Sequence, residues 1–291
     1  MKKKQAIIFI HGIGTSTVGY SINTQQHLKD KIKKLGIDTG SSNFIFKEFV
    51  WSLNLSKTEM DLWGRIQDDT TSYGKKLNWN NIRKKFILFI GDSFLYDQGN
   101  IWNGLENGLN ELLVQIEQEA NTSSSDFEIT IIAHSLGTVL LDDYLKKIAN
   151  KENIKGAEIL KNNRLVNVFT IGSPLAIHTL KGDNIGSAKP NIFWNREYGT
   201  WVNILDDDDV IAYPLKPIND SFNKAVDIDY ITEVGSSLKP GLLFSHSSYW
   251  CDNNFISPVA QKLVMDYQRI NNNIPYDKYK YHQHIQSLYN I

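Results

Sequence analysis

A chain of 291 residues, 41% hydrophobic and 22% charged, has ample material for a folded core, and its length allows one large domain or two small ones. With 31 basic and 32 acidic residues the formal net charge is −1, and no Lys/Arg cluster is dense enough to mark a nucleic-acid surface. A single cysteine, Cys251, excludes an internal disulfide and fits a reducing compartment; no stretch nears the roughly 18 apolar residues of a membrane helix, so a cytoplasmic protein with no integral membrane segment is expected. The apolar run at 6–10, behind "MKKKQ", is too short for a secretory signal, and no small-residue cleavage site follows it.

That same run ends in glycine-rich sequence and reads as a strand buried on both faces. Ile22, Leu28, Ile32 and Leu35 follow at loosely helical spacing, and 44–51 reads as a second strand. The segment 52–100 is irregular, aromatic and too long for a simple connection, so a helical insertion over one edge or the cleft is expected there. Ile101, Leu105, Leu109, Leu112 and Ile116 step by three and four, which predicts an amphipathic helix. Gly104 and Gly108 on it are expected to admit another backbone at close range. After a surface loop at 121–126, residues 127–133 read as a strand and 137–148 as a helix with Val139, Leu140, Tyr144, Leu145 and Ile148 inward. Further strands are expected at 165–171, 201–205 and 228–234, and a closing helix at 255–270; the tail has no clear role. Strands alternating with helices predict an α/β fold, a mostly parallel central sheet covered by helices on both faces, organised as one domain over 1–291 with the insertion at 52–100.

Two serines compete for a nucleophile's place. In "FIGDSFLYDQGN" (89–100), Ser93 has the letters of the GDSL hydrolase block. That family sets an Asp three residues before its histidine, and the residues three before His246, His282 and His284 are Leu243, Tyr279 and Tyr281. The run around Ser93 suits a packed helix as well as a strand. Ser135, in "TIIAHSLGT", has the context instead: an apolar strand, a sharp turn, then at once an amphipathic helix. Such a turn needs small residues two before and two after the serine, and Ala133 and Gly137 meet that need. The hydroxyl then sits at a helix N-terminus, where the dipole and free N–H groups favour negative charge.

A serine hydroxyl needs a base, and the base needs a carboxylate to orient it. In the order serine, acid, histidine, the acid should lie in Asp206-Asp207-Asp208-Asp209, just past the strand at 201–205. An EF-hand calcium loop starting at Asp206 does not fit, because Ile211 stands where Gly belongs and Pro217 where Glu belongs. The base is read in "FSHSSYW" (244–250) as His246. The rivals fit less well: His134 flanks the serine and points along the turn, His178 follows another strand, and His27, His282 and His284 read as surface residues. Two N–H donors must face the oxyanion. Leu136, after the nucleophile, supplies one; "IIFIHGIG" at the end of the first strand offers Ile13 as the other, with His11, Gly12 and Gly14 letting the loop curl close to substrate. His11 reads as a structural partner of that loop, not a proton carrier.

Taken in order, "HGIG", "AHSLG", "IGSP", the Asp run and "HSSYW" resemble the lipase/esterase branch of the α/β-hydrolase superfamily, as separate anchors between residues 6 and about 270. The resemblance implies a serine hydrolase acting on carboxylic esters through an acyl-enzyme, with no cofactor and no metal. It also favours Asp209 as the acid, since lipases often set the acid directly before two aliphatic residues and a nearby proline, here Val210, Ile211 and Pro214; Asp206 is the second choice. The aromatic residues Trp63, Trp79, Phe94 and Trp102 suggest an apolar acyl group or a lipid ester, or else plain core packing. Thioester, amide and acyl-transfer chemistry use the same triad, and an inactive binding protein of the same fold is the alternative from another class. No pattern specifies an oligomer.

Overall fold

The computed structural model describes residues 3–12, 17–51, 61, 64–65, 99–120, 127–150, 155–161, 164–181, 184–191, 197–234 and 245–288. Its centre is a sheet of six parallel strands in the order β2-β1-β3-β4-β5-β6, with β1 Lys4–Ile10, β2 Phe44–Phe49, β3 Phe127–His134, β4 Leu165–Ile171, β5 Thr200–Leu205 and β6 Ile228–Ile231. The chain runs outward from β1 to β2 and then returns to place β3 on the other side of β1. The chain goes from β1 to β2 on one side and from β3 to β4 on the other, the kind of switch point beside whose carboxyl edge ligands of open α/β sheets bind.

Near-continuous apolar strands are what a sheet covered on both faces requires. Ala6, Ile8, Ile10, Ile129, Ile131 and Val168 face α2 (Gly99–Ala120), α3 (Leu136–Ala149) and α4 (Lys155–Lys161). Ile7, Phe9, Ile132, Phe169, Val202 and Ile204 face α1 (Ile22–Lys34) and the long C-terminal helix Asn253–Asn272. The expected stripe of α2 is buried at Leu105, Leu109, Leu112 and Ile116, and every inward residue expected on α3 is buried. On α1 only Leu28 and Ile32 of the four expected positions are inside; Ile22 and Leu35, at its ends, are exposed. The strand expected over 228–234 stops at Ile231.

The glycine expectation on α2 is corrected at Gly108. A Cβ there would meet the Phe49 ring at 3.1 Å, so an aromatic side chain, not a backbone, fills the space; at Gly104 nothing lies within 4 Å among the described residues. The tail is also more ordered than its composition suggests. Residues Lys278–Leu288 form a helix that buries Tyr281 and Ile285, and the Tyr281 hydroxyl donates to the Pro258 carbonyl at 3.1 Å. His282 and His284 flank that buried face and are half-buried, not surface residues. Most of the expected insertion at 52–100, with Ser93, Trp63, Trp79 and Phe94, lies outside the described residues. Trp102 packs against the core beneath α2, with the Lys147 ammonium 5.1 Å from its ring centroid.

Under the C-terminal helix, toward the amino edge of the sheet, the apolar layer gives way to a polar one. Lys262 reaches both carboxylate oxygens of Asp266 at 2.6 and 2.7 Å with both side chains buried, and Asn167 of β4 donates to the same carboxylate at 2.8 Å. Burial pushes the Lys262 ammonium below its usual range, against the pull of Asp266. Breaking such a pair from one side strands the remaining charge. Lys262→Met should cost about 3 kcal/mol of stability, and Lys262→Met with Asp266→Leu should recover most of it; urea unfolding of the two variants is the check.

Candidate active site

β3 delivers Ser135 to the carboxyl edge of the sheet. The strand ends at His134, α3 begins at Leu136, and the single residue between them takes φ 53°, ψ −132°. A non-glycine residue held there costs on the order of 1–3 kcal/mol and persists only where the surroundings impose it. Here they do. The Ser135 N–H donates to the Ile171 carbonyl at 3.0 Å, and its own carbonyl accepts from the N–H and hydroxyl of Thr138 at 2.9 and 2.7 Å. A Cβ on Gly137 would lie 2.4 Å from the His11 carbonyl oxygen, and one on Gly12 2.3 Å from the Ser135 Cβ. Glycine at both positions is what lets the end of β1 press against the turn.

Three of the expected residues converge on this point. The Ser135 hydroxyl lies 2.7 Å from His246 Nε2, and His246 Nδ1 lies 2.8 Å from Asp209 Oδ2. An ionised carboxylate only accepts, so Nδ1 carries the proton and Nε2 is left to accept from the serine hydroxyl. Asp209 sits in the turn after β5, wholly buried, with its Oδ1 accepting from the Ile211 N–H at 3.1 Å. Burial by itself would raise its carboxyl, but the bonds from His246, Ile211 and Tyr249 together hold it below the usual range. Of the four aspartates the structure brings only Asp209 to the imidazole. Asp206 is a loop fastener: its Oδ1 accepts from the Asp208 N–H at 2.8 Å and its Oδ2 from the Val234 N–H at 2.5 Å. Asp207 and Asp208 are exposed.

Leu136 is the first residue of α3, so its N–H is one of the four without an acceptor inside the helix. Ile13 and Gly14 lie outside the described residues. His11 is a structural partner: Nδ1 donates to the Gly12 carbonyl at 2.7 Å, Nε2 accepts from the Trp51 N–H at 3.0 Å, and its ring stacks on the Trp51 indole. Burial lowers its pKa to about 4 and keeps it neutral. His178 lies 3.6 Å from Asp143 on α3, and His27 is exposed.

Two residues at the site carry roles that spacing did not reveal. His134 Nε2 donates to the His246 carbonyl at 2.7 Å, and Tyr249 donates its phenol to Asp209 Oδ2 at 2.9 Å. Tyr249 was visible only as part of "HSSYW", three residues past His246.

No protein-family model and no curated protein matches the sequence. Among solved structures, the chain is similar to a protein from Xanthomonas campestris pv. campestris described as a candidate hydrolase of the alpha/beta superfamily, at 10% identity and a TM-score of 0.36, over 90% of this chain and 98% of that one. The molecule's own geometry is more telling. A parallel sheet carries a strained serine between strand and helix, then an acid past β5 and a histidine beyond β6, all at the carboxyl edge. This is the α/β-hydrolase fold. Among the described residues, no helix is long and apolar enough to cross a membrane.

Two neutral, buried histidines beside the site make stability depend on pH. Burial, reinforced by the nearby His246, lowers His134 to about 3, and burial lowers His11 to about 4. Unfolded, each ring protonates near pH 6.5, so the depressed pKa contributes stability that is present above 6.5 and is lost as pH falls toward 4 and 3, at about 1.4 kcal/mol per ring per pH unit. In urea unfolding at pH 6.5 and 4.5, His134→Gln should lose less stability than wild type, by about 1.4 kcal/mol for each pH unit.

Proposed function

We propose that the protein is a serine hydrolase that cleaves carboxylic esters through an acyl-enzyme. The observation that carries this reading is the pair of hydrogen bonds running through one imidazole, 2.7 Å to Ser135 Oγ and 2.8 Å to Asp209 Oδ2. As the Ser135 oxygen attacks the ester carbonyl, its proton passes to His246 Nε2, and Asp209 stabilises the imidazolium across Nδ1. The carbonyl oxygen becomes an oxyanion beside the Leu136 N–H at the head of α3; the N–H of Ile13 is proposed as the second donor, each worth about 2.7–4 kcal/mol in the transition state. His246 then gives its proton to the departing alkoxide, leaving the acyl group on Ser135. Water repeats the sequence: His246 takes its proton, the hydroxide attacks the acyl carbonyl, and the serine regains its hydrogen.

Buried Asp209, held ionised by three donors, suits this role better than an exposed aspartate, since its charge is screened little by solvent. An apolar acyl group, including that of a lipid ester, is the proposed substrate class. Ester hydrolysis is distinguished from thioester, amide and acyl-transfer chemistry by a substrate panel, and from a binding role by an active-site label.

Ser135→Ala should abolish fluorophosphonate labelling and lower p-nitrophenyl ester turnover by at least about 10⁴-fold. Asp209→Asn should cost about 10³–10⁴-fold in kcat by leaving the wrong imidazole tautomer, and Asp206→Asn about tenfold or less. Retained labelling in Ser135→Ala, or a larger loss from Asp206→Asn than from Asp209→Asn, contradicts the assignment.

A further inference from the structure

The base and Tyr249 reach one oxygen of one carboxylate. His246 lies in the short helix Ser245–Ser248, and Tyr249 opens the 3₁₀ turn Tyr249–Cys251 that follows. Three residues apart on continuous helical turns, they share a face. His246 Nδ1 is 2.8 Å and the Tyr249 hydroxyl 2.9 Å from Asp209 Oδ2. The phenol oxygen also accepts from the Asp206 N–H at 2.8 Å, so its proton has one place to go, the carboxylate. Tyr249 is fully buried, and its neighbour Gly172, at φ 56°, has no room for a side chain: a Cβ there would lie 2.9 Å from the phenol ring, 3.2 Å from Asp209 Oδ2 and 3.3 Å from His246 Nδ1.

We infer that Tyr249 is a positioning residue of the triad, whose phenol pins Asp209 Oδ2 and clasps the His246-bearing turn to the loop after β5. It rests on the hydrolase reading above and adds a fourth member to it. Oδ1 is already tied to the Ile211 N–H, so the Tyr249 bond removes the carboxylate's remaining rotation and leaves Oδ2 aimed at the imidazole. The phenol also shares the charge of the carboxylate oxygen that faces the imidazole. The titratable groups around this oxygen are His246, Tyr249, Asp206 and, across the imidazole, the neutral His134. Burial, with Asp209 beside it, raises the Tyr249 hydroxyl far above its usual range, so it stays a donor at every working pH.

The test is Tyr249→Phe, which removes the hydroxyl and keeps the ring, assayed against wild type with p-nitrophenyl esters across pH. Its kcat should fall about tenfold with KM changed less than about twofold, and the acid limb of kcat/KM should move up by about half a pH unit as Asp209 loses a donor. Tyr281→Phe, which removes an equally buried hydroxyl bonded to the Pro258 carbonyl, is the control: it should lower Tm and leave the pH profile in place. Should Tyr249→Phe be too unstable to assay, the proton spectrum of wild type takes its place: a downfield, slowly exchanging Tyr249 hydroxyl proton is expected from the bond to Asp209, and a phenol proton in fast exchange with water overturns the role. A wild type that labels with fluorophosphonate, beside a Tyr249→Phe with unchanged kcat and acid limb, overturns the role of Tyr249 alone. A wild type that does not label overturns the nucleophile assignment and this inference with it.

Discussion

Everything at the carboxyl edge depends on how closely two backbones approach where the sheet changes direction. The ends of β1 and β3 are neighbours in the ladder, with Ile10 opposite Ala133, and one residue further on the loops must diverge. Gly12 and Gly137 sit where any side chain would collide with Ser135 or with the His11 carbonyl. That contact supports the left-handed backbone of Ser135, and the strained backbone in turn lifts the hydroxyl out of the sheet. The cost of about 1–3 kcal/mol is borne by a sheet whose four inner strands, β1, β3, β4 and β5, are buried almost throughout. A strained turn of this kind could not be held by a small or half-exposed sheet.

Around that turn, polar groups are kept in one charge state each by burial and by their partners. His11 and His134 are desolvated and neutral, and each spends its one N–H on a backbone carbonyl. Asp209 is equally buried yet stays ionised, because an imidazole, a phenol and a backbone N–H all donate to it. The difference lies in donor count: with few partners, desolvation decides the form, and with three it is overruled. Among the described residues, His246 is the imidazole that stands between a carboxylate and a hydroxyl.

The sheet and its helices were legible because their signals are local and periodic. Continuous apolar runs marked β1, β3, β4 and β5, and the three-and-four stripe marked α2; the helix after Ser135 showed the same inward spacing. Ser135 was legible for a related reason, since strand, turn and helix occupy adjacent residues with Ala133 and Gly137 at the required offsets. The choice among Asp206 to Asp209 was not readable from spacing, because four identical letters differ only in the turn geometry that follows. Asp206 turns back to cap its own loop, and Asp209 turns inward. Gly108 misled for lack of its partner, which is the Phe49 ring from a strand over fifty residues earlier. The helix at Lys278–Leu288 was hidden by polar letters, since two buried residues, Tyr281 and Ile285, suffice to dock it. The bonds that tie Tyr249 and His134 to Asp209 and His246 were invisible because they span 40 and 112 positions of sequence.

The three site residues are not held in the same way. Ser135 is placed by the ladder of β3 and β4, and Asp209 by the turn immediately after β5. Among the described residues no strand leads into His246, the last before it being β6, which ends at Ile231. The histidine's position comes from side chains and from the helical turn it shares with Tyr249 and Trp250. His134 fixes its carbonyl and Asp209 its ring, while the Trp250 carbonyl accepts from Thr24 of α1 at 2.6 Å. The Trp250 indole lies among the rings of Phe9, Tyr20, His134 and Phe255, which reach it from β1, the loop before α1, β3 and the C-terminal helix. Apolar packing thus sets where the turn sits, and hydrogen bonds set which way its imidazole faces. Packing alone, being non-directional, could not choose between Nδ1 and Nε2 for the carboxylate. The directional bonds make that choice, and with it the capacity of the Ser135 hydroxyl to give up a proton.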